Sequence, residues 1–170
     1  GQAINGAVTS TSTTDTAIEF GTLVANTPVI AGHELSVTTN ATNGFTVTVR
    51  ESQNLTSGGA DIDTFIDGAE TAVPVVWVAP SPNISDENTF GHIGITSNDT
   101  DQGGGEFVGQ KYAGNFLSAP RAIFSHNGVA DGTTQDIGKA RVAYKIEISA
   151  TQEAGDNYTN QLIYVCTPIF

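Results

Sequence analysis

Alternation of apolar and polar residues constrains the fold of this chain more than any other feature of its sequence. The clearest run is 44–51, in which Phe45, Val47 and Val49 fall on one face. A period of two residues is that of a β-strand with one buried face, and no long stretch has the 3.6-residue period of a helix. The chain is therefore predicted to be all-β.

Two pairs of alternating runs are clear. Residues 34–39 precede the run 44–51, and the intervening Asn43-Gly44 pair favours a turn, so these two runs are predicted to form an antiparallel hairpin. Near the end of the chain, residues 139–149 alternate, and so does the final run 161–170. Tyr158 lies just before that final run, as in the tyrosine corner of Greek-key sandwiches, where the phenol ties down a crossover between strands.

Shorter strands are predicted over 17–20, 73–79, 90–96 and 121–126. Residues 52–114 are rich in Gly, Asp, Asn and Pro, so we expect long loops there, with one short helical turn near 61–67. With 170 residues the chain suits one domain. The expected fold is a single antiparallel Greek-key β-sandwich, Ig-like or jelly-roll-like, over 15–170, with an N-terminal extension strand.

The extension is residues 1–14, which carry no charged side chain. In an extended strand Ile4, Gly6 and Val8 would share a face, and the small Gly6 and Ala7 would let the strand seat deeply between two sheets. One interpretation is a frayed terminus or an ordinary edge strand. The other is a donor strand, contributed through Ile4, Gly6, Ala7 and Val8, that completes the sheet of a neighbouring copy.

Charge and composition exclude several partners. The net charge of −12, with only six Lys and Arg, cannot build the cationic face that nucleic acid or an anionic membrane requires. No apolar run approaches the length of a membrane span, so no membrane insertion is expected. The surface is poor in charge and rich in Thr, Ser and Gly, and the chain begins at Gly1. We therefore expect an extracellular, cell-surface protein whose signal peptide has been removed.

Both ends of the chain carry motifs of a known kind. They are Ile18-Glu-Phe-Gly-Thr-Leu23, Gly32-His-Glu-Leu-Ser-Val-Thr-Thr39 and Gly44-Phe-Thr-Val-Thr-Val49, with Ala154-Gly-Asp-Asn-Tyr-Thr-Asn-Gln-Leu-Ile-Tyr164 at the other end. Over about a third of its length the chain resembles secreted β-sandwich proteins: the spore-coat-U-like subunits of archaic chaperone–usher pili and, more distantly, TasA-like and archaeal bundling-pilus subunits. The resemblance implies an extracellular sandwich subunit, and many such subunits assemble by strand donation.

Catalytic patterns are missing from the sequence. His33, His92 and His126 lack metal-ligand spacing, and no Gly-x-Ser-x-Gly elbow occurs. The single cysteine, Cys166, lies in the apolar final run and is interpreted as a small buried core residue, with an intermolecular disulfide as the alternative. We expect a protein that is not an enzyme and requires no cofactor.

Calcium is the one ion that the sequence favours. Asp99, Asp101 and Glu106 form one candidate ligand set, and Asp61 and Asp63, followed by Asp67, form a second. Clustered carboxylates in Gly-rich loops suit calcium, although such loops are more often solvated turns.

Five Asn-x-Ser/Thr sequons, at Asn40, Asn54, Asn83, Asn98 and Asn157, are candidate glycosylation sites in a host that has the machinery. Trp77, in an apolar run, is interpreted as a core residue, with a sugar-stacking platform as the alternative.

These expectations converge on a structural subunit of an extracellular filament or pilus. Its partners would be other copies of itself, joined head-to-tail by donation of the N-terminal strand. The alternative is a cell-surface adhesin or carbohydrate-binding domain that uses the loops of 52–114.

Overall fold

The chain is almost entirely β in its computed structural model, which describes residues 1–155 and 157–170. Within these residues the only helical elements are two 3-10 turns, Glu87–Thr89 and Gln102–Gly104, and there is no α-helix. In the same described part, no helix is long and apolar enough to cross a membrane. The all-β prediction is therefore confirmed.

Fourteen strands occur in the described residues. In chain order they are β1 (Ala3–Ile4), β2 (Ala7–Val8), β3 (Val29–Ser36), β4 (Thr38–Thr39), β5 (Phe45–Glu51), β6 (Leu55–Ser57), β7 (Ala60–Thr64), β8 (Val75–Val76), β9 (Gly91–Ser97), β10 (Lys111–Tyr112), β11 (Arg121–His126), β12 (Ala130–Asp131), β13 (Lys139–Ile148) and β14 (Leu162–Pro168).

The larger sheet has five strands in the order β3-β13-β9-β7-β6. All of its pairings are antiparallel except that between β7 and β9. The alternation predicted for 139–149 places Val142, Tyr144 and Ile146 on the buried inner face of β13. Strand β13 is an interior strand that pairs over most of its length with both β3 and β9.

The smaller sheet has three strands in the order β11-β5-β14. Its central strand β5 is the run predicted with the clearest alternation, and Phe45, Val47 and Val49 are all buried. Both neighbours pair antiparallel to it. Two-stranded pairings join β1 to β2, β4 to β12 and β8 to β10.

One apolar core lies between the two large sheets. Strands β5 and β11 contribute Phe45, Val49 and Phe124 to it, and the five-stranded sheet contributes residues such as Ile95 and Tyr144. Burying these side chains is the main stabilising contribution, at about 25 cal/mol per Å² of apolar surface. The two sheets therefore fold as one unit.

A second, smaller apolar cluster covers the opposite, outer face of the five-stranded sheet. Its members, which we call the outer cluster, are Ala7, Phe65 and Tyr112 with the partly buried Ile30, Ile66, Val75 and Trp77. Gly94 of β9 makes room for it, since a Cβ there would lie 3.0 Å from the Phe65 Cβ atom. Strands β6 to β10 all fall within 52–114, and the long loops predicted for this stretch separate β7 from β8, β8 from β9 and β9 from β10.

The prediction that 34–39 and 44–51 form a hairpin is wrong. Strand β3 pairs with β13, whereas β5 pairs with β11 and β14, so the two runs belong to different sheets. Gly44 has a φ of 88°, and a Cβ at this position would overlap the carbonyl oxygen of His126. This glycine therefore permits a close approach to β11, and the link crosses between sheets.

The shorter predictions have mixed outcomes. The strand over 121–126 is confirmed, and 90–96 lies one residue from β9. Only two residues of 73–79 form a strand, and 17–20 contains an isolated bridge at Ile18. The helical turn predicted near 61–67 is wrong, because residues 60–64 form β7 and Ile62 is buried in the core.

Tyr158 ties down the crossover from β13 to β14. Its hydroxyl donates a 2.5 Å hydrogen bond to the carbonyl oxygen of Glu153, and the Gln152 amide donates to the same hydroxyl at 3.1 Å. This is the backbone contact predicted for a tyrosine at this position.

Candidate functional site

The main-chain groups along one edge of β14 point away from its sheet. Ile169, just beyond β14, donates its N–H to the carbonyl oxygen of Gly44, and the register with β5 has no shift. Since alternate residues of an antiparallel strand face opposite neighbours, Leu162, Tyr164 and Cys166 direct their N–H and C=O groups outward. Among the residues that the structure describes, no strand pairs with that edge.

Pro168 marks the same edge at the end of β14. Its backbone nitrogen points away from β5, like those of Leu162, Tyr164 and Cys166. The missing N–H therefore leaves the bonds to β5 intact. Proline within a sheet is tolerated at edge positions of this kind. The sequence of β14 is thus compatible with an outer strand.

A groove with an apolar floor and many polar residues around it lies beside this edge. The groove, which we call the β14 groove, has a volume of about 2320 Å³. Its floor is the inner face of the five-stranded sheet, with Leu35, Ile62, Ile93, Tyr144, Ile146 and Ile148. One wall is β14, through Leu162 and Tyr164, and the other is the irregular segment of residues 9–25 together with Gly1 and Gln2.

Two tyrosines join the sheets at the floor of the groove. The hydroxyl oxygens of Tyr144 and Tyr164 lie 2.5 Å apart, and the His33 ring packs edge-on to Tyr164 with centroids 5.4 Å apart. Burial raises the pKa of both phenols and lowers the pKa of His33. All three groups are therefore neutral at physiological pH, and the floor carries no charge from them.

A buried carboxyl lies at the end of β5, next to the groove. Glu51 is fully buried, and within the described part of the chain neither of its carboxyl oxygens has a hydrogen-bond partner. Burial raises its pKa to about 8, with the charges of Glu70 and Asp63 adding to the effect. Glu51 is therefore mostly protonated at neutral pH.

The four predicted donor residues lie outside the groove. Residues 3–8 form a two-stranded hairpin, in which Ile4 and Ala7 are 1% and 5% exposed. Asn5 and Gly6 have φ of 51° and 82°, as a two-residue hairpin turn requires, and Val8 is exposed. The predicted extension strand is thus a hairpin that packs on the chain's own outer cluster.

The first calcium ligand set does not converge. Glu106 pairs with Arg121 at 2.7 Å, and Asp101 pairs with the His126 ring at 2.9 Å. Asp99 instead accepts backbone N–H groups, among them that of Ser125 at 2.8 Å, and burial raises its pKa to about 6. These side chains stabilise the loop and its contact with β11.

The second calcium set is held together by an asparagine. The Asn54 amide donates to Asp63 at 2.6 Å and to Asp61 at 3.4 Å, and burial raises the pKa of Asp63 to about 6. Asp67 is directed elsewhere, to the His92 ring at 3.0 Å. In the described residues no three His, Cys, Asp or Glu side chains form a group that could hold a metal ion.

The sequons differ in accessibility. Asn40, Asn83 and Asn157 are exposed. The Asn54 amide donates to Asp63, and the Asn98 amide donates to Gln135 at 3.4 Å. Only the first three leave the amide free for a sugar without the loss of one of these hydrogen bonds.

Trp77 is a structural member of the outer cluster. Phe65 stacks on its indole at 4.6 Å, the Lys145 ammonium lies 4.7 Å from the ring centroid, and the indole N–H donates to Glu147 at 2.6 Å. These contacts support its interpretation as a packed side chain. The adhesin or carbohydrate-binding alternative stays a prediction.

Cys166 is exposed, and the prediction that it is a buried core residue was wrong. It shares a face with Leu162 and Tyr164 but lies at the open end of β14. Sequence reasoning also missed Tyr144, Tyr164 and His33 as groove residues. The alternation of apolar and polar residues predicted only that they face inward. The β14 groove could not be predicted, because it depends on which strands pair.

Comparison with protein-family models, with curated proteins and with solved structures gives no match to this chain.

Proposed function

We propose that this protein is a structural subunit of an extracellular filament or pilus. In each junction, the N-terminal segment 1–14 of one copy would pair with β14 of the next and fill its β14 groove. The proposal rests above all on the unpaired edge of β14 beside an apolar floor. It treats the two large sheets as a Greek-key, Ig-like or jelly-roll-like sandwich that lacks one strand. The extracellular location follows from the composition.

An added strand satisfies two requirements of the groove at once. Its backbone can pair with the outward N–H and C=O groups of Leu162, Tyr164 and Cys166, which are otherwise left to water. Its inward side chains can cover the partly exposed floor residues Leu35 and Ile148. Strand addition of this kind takes affinity from the main chain and specificity from alternate side chains. It also covers an edge that would otherwise favour aggregation.

The chemistry of the rim favours the chain's own N-terminal segment as the occupant. Asp15, Glu19 and Glu153 line the groove, so a segment rich in carboxylates would be repelled. Residues 1–14 have no charged side chain. They are also long enough, because the seven residues of β14 span about 23 Å at about 3.3 Å per residue. The remaining half of the segment can link the two subunits.

A junction of this kind produces a fibre. The donor segment and the acceptor groove are different surfaces of one chain, so after the first contact one subunit still has a free groove and the other a free donor segment. Such head-to-tail contacts do not close on themselves unless the rotation between subunits happens to form a ring. A single protein can therefore extend without a second component.

The acceptor half of the proposal is tested by two variants of β14 that differ only in the face they change. Cys166→Lys places a charged side chain on the face shared with the groove, whereas Val165→Lys places it on the opposite, exposed face. We expect electron microscopy to show filaments from the native chain and from Val165→Lys but none from Cys166→Lys. Both variants should retain the native circular dichroism. Filaments from Cys166→Lys at the native yield would contradict the proposal.

The donor half is tested by deletion. A chain that lacks residues 1–12 should remain folded but should not form filaments alone. Mixed with native protein, it should cap growing ends, because β14 and the apolar floor of its groove are kept while its donor is missing. Filaments from the truncated chain alone would exclude this segment as the donor.

A further inference from the structure

The hairpin of residues 3–8 is docked on its own subunit, on the outer face of the five-stranded sheet, whereas Gly1, Gln2 and residues 9–14 line the β14 groove. Ile4 and Ala7 are buried there, and Ala7 belongs to the outer cluster. We propose that this hairpin, residues 3–8, is an autoinhibitory state of the donor strand, and that its opening limits the rate of assembly. This inference rests on the proposed function.

The dock fits the hairpin closely. A Cβ at Gly32 would lie 2.7 Å from Ile4 Cδ1, so the glycine in β3 is what lets Ile4 approach the sheet. The Asn5 amide donates to the carbonyl oxygen of Ser97 and, at 3.2 Å, to the hydroxyl of Thr96. Apolar burial and side-chain hydrogen bonds thus hold the turn itself against β9 and β3.

The following residues extend the dock along an edge of the same sheet. Ser10 donates its N–H to the carbonyl oxygen of Ile30 at 2.8 Å, and the Thr13 hydroxyl donates to that of Gly32 at 2.8 Å. These bonds occupy the outer edge of β3. The segment therefore contacts its own subunit from Ile4 to Thr13.

The docked and donated forms exclude each other. In the hairpin Ala3 and Val8 are cross-strand partners, so their Cα atoms lie about 5 Å apart. In an extended donor strand the same two residues would be about 16 Å apart, at about 3.3 Å per residue. Ile4 and Ala7 also cannot be buried in their own outer cluster and in a neighbour's groove at once. Donation therefore requires the hairpin to open.

Opening should be feasible, because the hairpin is small. Each of its strands has two residues, and a two-stranded hairpin alone is marginally stable in water. Its persistence depends on the contacts of Ile4 and Asn5 with the sheet. Weakening those contacts from the sheet side should therefore speed assembly without altering the donor sequence.

The first experiment locks the hairpin with a disulfide. Ala3 and Val8 face each other across the two strands at a pair that does not exchange hydrogen bonds, where side chains are closest. Both side chains are exposed, so the change leaves the dock intact. The double variant Ala3→Cys/Val8→Cys keeps Cys166, the native chain is the parent, and peptide mapping without reduction checks that the disulfide joins the two introduced cysteines. Assembly is followed by light scattering and electron microscopy, oxidised and reduced.

We expect the oxidised double variant to stay monomeric while the reduced form and the parent assemble. Equal assembly of the oxidised and reduced forms would overturn the inference and leave the proposed function standing. Failure of the native chain itself to assemble would instead overturn the proposed function and the inference with it.

If the reduced double variant does not assemble, a second variant tests whether opening of the hairpin limits assembly. Thr96→Val removes one acceptor of the Asn5 amide and changes neither the donor nor the groove. It should shorten the lag before assembly relative to the native chain. An unchanged lag would overturn the inference.

Discussion

The hydroxyl groups of Tyr144 and Tyr164 share a 2.5 Å hydrogen bond that connects the two large sheets at the floor of the β14 groove. Tyr144 belongs to β13, an interior strand of the five-stranded sheet, and Tyr164 belongs to β14, an edge strand of the three-stranded sheet. The bond therefore fixes the position of β14 relative to the floor beside which a donated strand would lie.

Removing one of the two hydroxyls should destabilise the fold. Tyr164→Phe leaves the buried Tyr144 hydroxyl without this partner, which costs about 1–3 kcal/mol. Tyr144→Phe/Tyr164→Phe should cost less than the sum of the two single changes, because neither hydroxyl is then left unpaired. Urea unfolding of the four proteins measures the coupling. A coupling energy near zero would show that the bond does not contribute.

Glu51 should make the protein less stable as pH rises. Its pKa in the folded chain is about 8 against an ordinary 4.5, so the folded state holds the proton more tightly than the unfolded state. Stability should fall as pH rises from about 4.5 to about 8 and then level off. The full effect is on the order of 5 kcal/mol, at about 1.36 kcal/mol per unit of pKa.

Glu51→Gln removes that dependence. The variant should match the native chain in stability near pH 4 and exceed it increasingly towards pH 8. Glu19→Gln, which removes the same charge at an exposed position, is the control. Thermal unfolding across this pH range checks the prediction. A constant difference between the Glu51→Gln variant and the native chain would contradict the assignment of the pH dependence to Glu51.

Cys166 reports on the groove-side edge of β14 without a label being introduced. Its thiol is exposed in the free chain, although partial burial raises its pKa and should slow alkylation. A donated strand would cover it. We expect iodoacetamide to modify Cys166 in monomers and much more slowly in filaments, as measured by intact mass. Equal rates in the two states would show that the strand does not reach this part of β14.

The sequence predicted the strands better than their pairing. The alternation of β5 and β13 identified which residues are buried, because a half-buried strand requires that pattern whatever its neighbour. It could not show that β3 pairs with β13 rather than with β5, because the alternation of side chains does not identify the strand to which the backbone bonds. The Asn43-Gly44 pair was misleading for the same reason: Gly44 serves a close contact with β11 that only the folded chain reveals.

The candidate site depended on the same missing information. The groove exists because β14 ends its sheet, and no local pattern near Leu162 or Tyr164 specifies an edge. For the N-terminal segment, in contrast, a local sequence signal was present but was not used. Its lack of charge was evident, but its hairpin turn at Asn5 and Gly6 is an Asn-Gly signal that the extended-strand interpretation passed over.

Backbone amide exchange along β14 tests the central claim most directly. The N–H groups of Leu162, Tyr164 and Cys166 point away from β5, so they should exchange rapidly in the monomer. Those of Ile163 and Val165, which point towards β5, should be protected in both states and serve as the internal control. In filaments we predict that the three outward amides become as protected as their neighbours. Filaments in which they still exchange at the monomer rate would show that no strand is added to this edge.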